Sequence, residues 1–238
     1  MDEPSDPTIL VPIDISSQVH PNRALITLLH PARVILLGYY PVPDQAAPEQ
    51  MRDQYEDEAA AQLESIVETF EDDAAMGDGI LVFTRDRDAS INRIAEEYNC
   101  DAVLTPGDVE TVEHVLVPLR GDPHLDEIIS FVEDLLLESD TDVTLFHGAI
   151  EDEDPTLSEF ILRGATDRLV EQGFDRDRIT WKQTETEQPV QDIITLAESH
   201  DIVVIGESDP TLSDHILGTI PSRILDRTGR PVLIVRAR

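Results

Sequence analysis

Short apolar runs alternate with longer amphipathic stretches along this chain. The first run, T-I-L-V-P-I-D over residues 8–14, is apolar at successive positions, which is typical of a strand buried on both faces of a parallel sheet. A helix-like stretch follows over residues 21–29, and a second apolar run, R-V-I-L-L-G-Y-Y, covers residues 33–40. Strands and helices that alternate in this way indicate an α/β fold with right-handed crossovers.

The same order of elements begins again in the second half of the chain. Leu10, Val11 and Pro12 recur in the run H-V-L-V-P-L-R over residues 114–120. Both halves then continue in parallel: strands over 33–40 and 142–150, acidic helices containing 63–70 and 160–169, strands over 79–84 and 179–183, helices over 89–98 and 190–199, and fourth strands from 101 and 201. The second half also has a helix over 123–137. We predict two tandem open parallel sheets with helices on both faces.

The two halves differ after their fourth strands. After Gly206 the chain continues through a loop and a helix to a fifth strand, P-V-L-I-V-R, over residues 231–236. After Gly107 only seven residues precede Val115, so the first half lacks the last helix and strand. We therefore predict a truncated unit over residues 1–110 and a complete unit over residues 111–238.

The charge of the chain argues against some classes of binding partner. It has 17 Lys and Arg against 50 Asp and Glu, a formal charge of −33, and would be repelled by nucleic acid and by anionic membranes. Molar salt shortens the Debye length to about 3 Å, so we interpret the acidity as the solvated surface of a halophile's protein. The alternative, a carboxylate cluster for a divalent metal, needs convergent ligands. The acidic residues of the long first-half helix instead line its polar side.

Little in the sequence indicates catalysis or secretion. There is no G-x-x-x-x-G-K-S/T loop and no G-x-S-x-G motif, and the seven histidines show no close pair at metal-ligand spacing. The single cysteine, Cys100, reads as a small buried apolar residue. The N-terminal residues M-D-E-P-S-D-P form no signal sequence, and no apolar run reaches the roughly 18 residues of a membrane span. We expect a cytoplasmic protein that is not an enzyme.

Five segments together resemble the universal stress protein family. They are the L-V-P-hydrophobic-Asp first strand, the D-I-V-V-I-G fourth strand, a loop that ends in Gly218 and Thr219, the helix I-P-S-R-I-L and the final P-V-L-I-V strand. The resemblance covers nearly the whole chain as a tandem pair. It implies a strand order of 3-2-1-4-5 in a complete unit, pairing between units or chains, and, in some members, ATP bound at the strand ends.

The resemblance also implies where a nucleotide would bind. Glycines in the loop would let backbone N–H groups approach the phosphates, and the next helix would add its N-terminal dipole. The candidate residues are Pro118, Leu119, Arg120, Gly148, Gly206, Asp209, Gly218, Thr219 and Ser222. Two of them depart from the family pattern. Asp209 stands in place of a loop glycine, and Arg120 stands where the first half has Asp14.

These residues leave two interpretations open. In the first, the chain is a non-catalytic regulatory protein that binds ATP or another adenine nucleotide. In the second, the site is degenerate and the chain is an interaction module, for example a transporter-associated regulator; Gly206, Gly218, Thr219 and Pro221 would then only end a strand and cap a helix. The final strand would be a sheet edge, so we also predict a homodimer that pairs through it.

Overall fold

The computed structural model describes residues 6–17, 22–72, 77–119, 125–149, 155–185, 188–207 and 219–236. The strands in these ranges are β1 (Thr8–Asp14), β2 (Arg33–Pro41), β3 (Gly77–Thr84), β4 (Ala102–Thr105), β5 (His114–Pro118), β6 (Asp142–Ala149), β7 (Ile179–Glu185), β8 (Ile202–Gly206) and β9 (Val232–Val235). The α-helices are α1 (Arg23–Leu28), α2 (Pro48–Asp72), α3 (Arg87–Glu97), α4 (Leu125–Leu136), α5 (Pro155–Glu171), α6 (Pro189–Ala197) and α7 (Thr219–Thr228). A short 3-10 helix spans Arg176–Arg178.

All of these strands lie in one nine-stranded sheet of order β3-β2-β1-β4-β9-β8-β5-β6-β7. Every neighbouring pair is parallel except β4 and β9, which are antiparallel. The second half has the strand order 3-2-1-4-5 that we predicted, and the first half has 3-2-1-4. Residues 106–113 form neither a helix nor a strand, so the chain passes from β4 to β5 without a counterpart of α7 or β9.

Successive residues of a strand point to opposite faces of the sheet. Because both sets are apolar in these strands, the protein has two cores, one on each face. On one face Ile9 and Val11 of β1 join a cluster with residues of α1, α2, α4 and α5. On the other face Leu10 joins a cluster with residues of α3, α6 and α7. Both clusters contain residues from each half of the chain, so the helices cover one continuous sheet.

The internal repeat extends to individual hydrogen bonds. A carboxylate of Asp101, just before β4, accepts a hydrogen bond from the N–H of Thr8 at 2.8 Å. Asp201, just before β8, accepts from the N–H groups of Glu113 and His114, each at 2.9 Å. In both halves an aspartate therefore ties the start of the fourth strand to the start of the first.

The prediction that the last strand is a sheet edge is wrong. On one side β9 pairs with β8, and on the other side it pairs with β4 in the register Ala102↔Val235 to Thr105↔Val232. Because the first half lacks a fifth strand of its own, β4 has a free edge, and β9 occupies it. With both edges of β9 paired within the chain, a homodimer cannot form through that strand.

Gly107 is packed against the turn that leads into β9. A Cβ atom at this position would lie 2.4 Å from the carbonyl oxygen of Gly229 and 2.5 Å from the nitrogen of Pro231. The N–H of Asp108 also donates to the Gly229 carbonyl at 2.8 Å. Only a residue without a side chain lets the end of β4 approach the start of β9 this closely.

We therefore expect Gly107→Ala to lower the free energy of unfolding by about 1–3 kcal/mol, since backbone atoms on both sides must shift. Gly164→Ala is the matched control: a Cβ there meets no atom within 4 Å, and alanine in a helix is more stable than glycine by roughly 0.5–1 kcal/mol. Denaturant unfolding in molar salt measures both. A Gly107→Ala protein as stable as the wild type would show that the contact with Gly229 is not required.

Candidate functional site

The predicted site lies at a topological switch point of the sheet. From β5 the chain passes to β6 on one side, whereas β8 lies on the other side of β5. Crossovers that diverge in this way leave a crevice at the carboxyl ends of the two strands, where open α/β sheets bind ligands. Pro118 ends β5 and Gly206 ends β8, so the structure brings these two predicted residues to the same edge.

Leu119, the residue after β5, lines the bottom of the crevice with an apolar side chain. The side chain of Leu119 is buried in the core, and its N–H donates to the carbonyl oxygen of Phe146 at 2.7 Å. Gly148 lies two residues beyond the last residue of β6 that pairs with β5. A Cβ on Gly148 would be 3.2 Å from Cβ of Pro189, so α6 closes the crevice on that side.

Gly206 has a structural reason to be glycine that the sequence did not reveal. A Cβ atom there would lie only 2.6 Å from Cδ1 of Ile128, on the helix α4 that packs beside β8. The absence of a side chain lets α4 approach the sheet. It also leaves the backbone at the end of β8 accessible from the crevice, so the packing interpretation and the binding interpretation are compatible at this residue.

The helix α7 connects β8 to β9 and begins at the carboxyl edge of β8. Its backbone starts at Thr219, and its first turn includes the half-exposed Ser222. The dipole of a helix makes such an end favourable for an anion. The predicted residues Arg120, Asp209 and Gly218 lie outside the described residues, as does the side chain of Thr219.

An ion pair at this edge was not predicted from the sequence. Glu207 follows Gly206 directly, and its carboxylate oxygen lies 4.0 Å from Nε of Arg236; both side chains are mostly buried. The N–H of Glu207 donates to the carbonyl of Val235 at 2.7 Å, which fixes the two residues side by side. Arg236 thus offsets the negative charge of Glu207 at the crevice. Because Arg236 follows the last strand, only the pairing of β8 with β9 brings it here.

Asp14, the family-pattern aspartate of the first half, does not approach this crevice. It ends β1, which is parallel to β4, and β4 is antiparallel to β9. The carboxyl ends of β1 and β8 therefore lie at opposite edges of the sheet. The Asp14 carboxylate accepts from the N–H of Ser16 at 2.9 Å and from its hydroxyl at 2.6 Å.

The corresponding crevice of the first half is occupied by the segment that links the halves. The Val109 side chain is buried in the core, and its carbonyl accepts a hydrogen bond from the Asn22 amide. Asn22 also caps α1 through the N–H of Leu25 at 3.0 Å. The link between the halves thus packs where β1 and β4 diverge.

Two buried histidines of the described part, His147 and His200, are held by hydrogen bonds within the fold. His147 is buried, and its Nδ1 lies 2.9 Å from the buried hydroxyl of Ser158, away from solvent. Burial lowers the pKa of His200, which favours the neutral form of its ring. Within the described ranges no group of three or more His, Cys, Asp or Glu side chains is placed to hold a metal ion. None of the helices described is both long and apolar enough to cross a membrane.

The sequence profile described as the universal stress protein family matches residues 111–236. This match covers more than half of the chain and includes all of the crevice between β5 and β8. The chain belongs to the universal stress protein family.

Solved structures extend the likeness to the first half. A universal stress protein from Archaeoglobus fulgidus is 13% identical, has a TM-score of 0.68, and is matched over 96% of both chains. A protein of unknown function from Pseudomonas aeruginosa is 15% identical with a TM-score of 0.58, over 98% of this chain and 93% of the other. At these low identities the structural similarity shows a shared fold and no more. A search of curated proteins gave no match.

In this universal stress protein an aromatic side chain, Tyr39, and a cationic side chain, Arg87, lie together at the carboxyl edge of the first half. Tyr39 pairs in register with Asp14, and the Arg87 guanidinium lies 5.6 Å from the centre of its ring. Burial, with a smaller contribution from the Asp14 carboxylate, raises the pKa of Tyr39. These side chains contact one another beside the closed crevice.

Cys100 is buried next to Asp101, as expected from the sequence, and burial raises the pKa of its thiol to about 11. In the unfolded chain the thiol ionises near its ordinary pKa of about 8.5. Its contribution to stability is therefore complete below that pH and is lost as the pH rises towards 11. We expect the free energy of unfolding to fall less steeply between pH 8 and 10.5 in Cys100→Ala than in the wild type.

Tyr39 and Tyr40 also have raised pKa values, and both remain in the variant, so the comparison isolates the thiol. Equal slopes in the two proteins would show that the native thiol ionises as freely as the unfolded one. As a direct check, iodoacetamide at pH 8.5 should modify the folded protein far more slowly than the unfolded one.

Proposed function

We propose that this protein is a non-catalytic regulator that binds an adenine nucleotide in the crevice between β5 and β8. The observation that carries the proposal is the meeting of Pro118, Gly206 and the N-terminus of α7 at one switch point. An accessible backbone at Gly206 and a helix N-terminus suit phosphate groups, and the apolar floor at Leu119 suits a base. Nothing in this arrangement requires a reaction.

We further propose that the chain is a tandem pair that divides near residue 110. The family match begins at residue 111, and in the first half Val109 is buried in the core with its carbonyl bound to Asn22 at the start of α1. Both observations support one binding site per chain, in the unit over residues 111–238. In this proposal the unit over residues 1–110 supplies sheet and core to the second unit rather than a second nucleotide site.

Isothermal titration calorimetry of the full chain in molar KCl with ATP, ADP, AMP and cAMP tests this proposal. We expect Gly206→Asp to weaken nucleotide binding at least tenfold, about 1.4 kcal/mol, because it adds a negative charge beside the proposed phosphate position. Gly206→Ala is the matched control, since it places the same Cβ against Ile128 without adding charge. Circular dichroism checks that both variants fold.

Two results would contradict the proposal. One is equal affinity in Gly206→Asp and Gly206→Ala, which would place the nucleotide elsewhere. The other is no heat with any of the four nucleotides, which would favour the second candidate, a nucleotide-independent interaction module. One feature favours that candidate independently: the exposed side chain of Phe160 on α5.

A further inference from the structure

The helices α2 and α5 occupy equivalent places in the two halves. Each connects the second and third strands of its half and covers the same face of the sheet. Their buried positions also have the same spacing: Ala59, Leu63, Ile66 and Phe70 in α2, and Ser158, Leu162, Ala165 and Leu169 in α5. This pattern aligns the two helices residue by residue. The outer face of α2 therefore serves as a reference for a helix that only covers the sheet, and the outer face of α5 can be compared with it.

The outer faces of the two helices differ in the size of their apolar side chains. At three aligned, exposed positions α2 has only small or charged residues, namely Glu58, Ala61 and Ser65, and α5 has Leu157, Phe160 and Gly164. Phe160 is 76% exposed and Leu157 is 43% exposed. The fold does not require large apolar side chains there, because α2 covers its part of the sheet without them. Their presence on α5 therefore points to a second surface that covers them.

The charge of α5 also sets it apart. The helix α2 carries nine acidic residues and one arginine, whereas α5 carries three acidic residues and two arginines. Next to Phe160, the Arg163 guanidinium forms an ion pair with Glu159 at 2.6 Å. In a chain with a net charge of −33, this face is nearly neutral. Two copies of the chain repel each other least where such faces meet.

The shape of this face suits a copy of itself. Gly164 lies one helical turn from Phe160, and a Cβ atom added there would meet nothing within 4 Å. The face therefore has a large projecting ring beside an open depression. In a twofold contact the ring of each copy faces the depression of the other, as an isologous interface requires.

We propose that the outer face of α5, formed by Leu157, Phe160 and Gly164, is the homodimer surface of this protein. The edge of the described sheet at β7 is a poorer surface. Its exposed middle residue, Lys182, is the only lysine in the chain, and a charge in the middle of an edge strand opposes pairing with another strand. The other surface considered from the sequence, β9, is paired on both sides.

Sedimentation velocity of the full chain in molar KCl, across a range of protein concentrations, tests the proposal. We expect the wild type to form a dimer and Phe160→Glu to weaken dimerisation at least tenfold. Ala61→Glu is the matched control, since it adds the same charge at the aligned position of α2, and it should dimerise like the wild type. A wild type that stays monomeric at every concentration, or a control that dissociates as much as Phe160→Glu, overturns the proposal.

A second variant separates loss of the interface from loss of the fold. Gly164→Leu improves helix propensity and fills open space in the monomer, but it blocks the depression that receives Phe160. We expect its melting temperature, measured at a concentration where the wild type is monomeric, to rise while its dimerisation weakens. Dimerisation equal to that of the wild type in Gly164→Leu would contradict the arrangement.

Discussion

Main-chain hydrogen bonds between β4 and β9 join the two halves of this protein into one sheet. Four residues of each strand pair, from Ala102↔Val235 to Thr105↔Val232. The truncated half leaves β4 without a lateral partner, and unpaired strand edges are unfavourable or prone to association. The complete half supplies that partner with its last strand. The close approach of Gly107 to Gly229 and Pro231 depends on this pairing.

The antiparallel sense of that one pair determines which strand ends share an edge of the sheet. It reverses the direction of every strand in the first half relative to the second, so the two carboxyl edges lie on opposite sides of the molecule. Asp14 and Gly206 each end a strand at a switch point, but they cannot contribute to one site. The link between the halves occupies the crevice on the side of Asp14. The crevice beside Gly206 has no such segment among its described neighbours, and a helix begins at its edge.

The sequence predicted the order of elements well because most strands are dense apolar runs and most helices have one apolar face. The recurrence of Leu-Val-Pro at residues 116–118 identified the repeat, and Asp101 and Asp201 now show it in equivalent hydrogen bonds. The lateral neighbours of β9 were not predictable from its own residues, since V-L-I-V reads the same in the middle of a sheet and at its edge. They follow only when its free edge is considered together with that of β4.

The candidate site was predicted less completely, for a similar reason. The positions of Pro118 and Gly206 at strand ends were predictable because strand ends are visible in sequence. The contact of Ile128 with Gly206 and the pairing of Glu207 with Arg236 instead join residues distant along the chain. No local pattern marks them. The outer face of α5 was also missed, because Phe160 fits an apolar helical period until the buried side of the helix is known.

The pairing of β4 with β9 also has a consequence for synthesis of the chain in the cell. Residues 102–105 are made long before residues 232–235, yet they are neighbours in the finished sheet. While the ribosome is still translating the second half, the nascent first half has an exposed hydrogen-bonding edge that no completed part of the chain can cover. Pairing between such distant segments is slow to form. The first unit thus completes its sheet only after translation has reached β9.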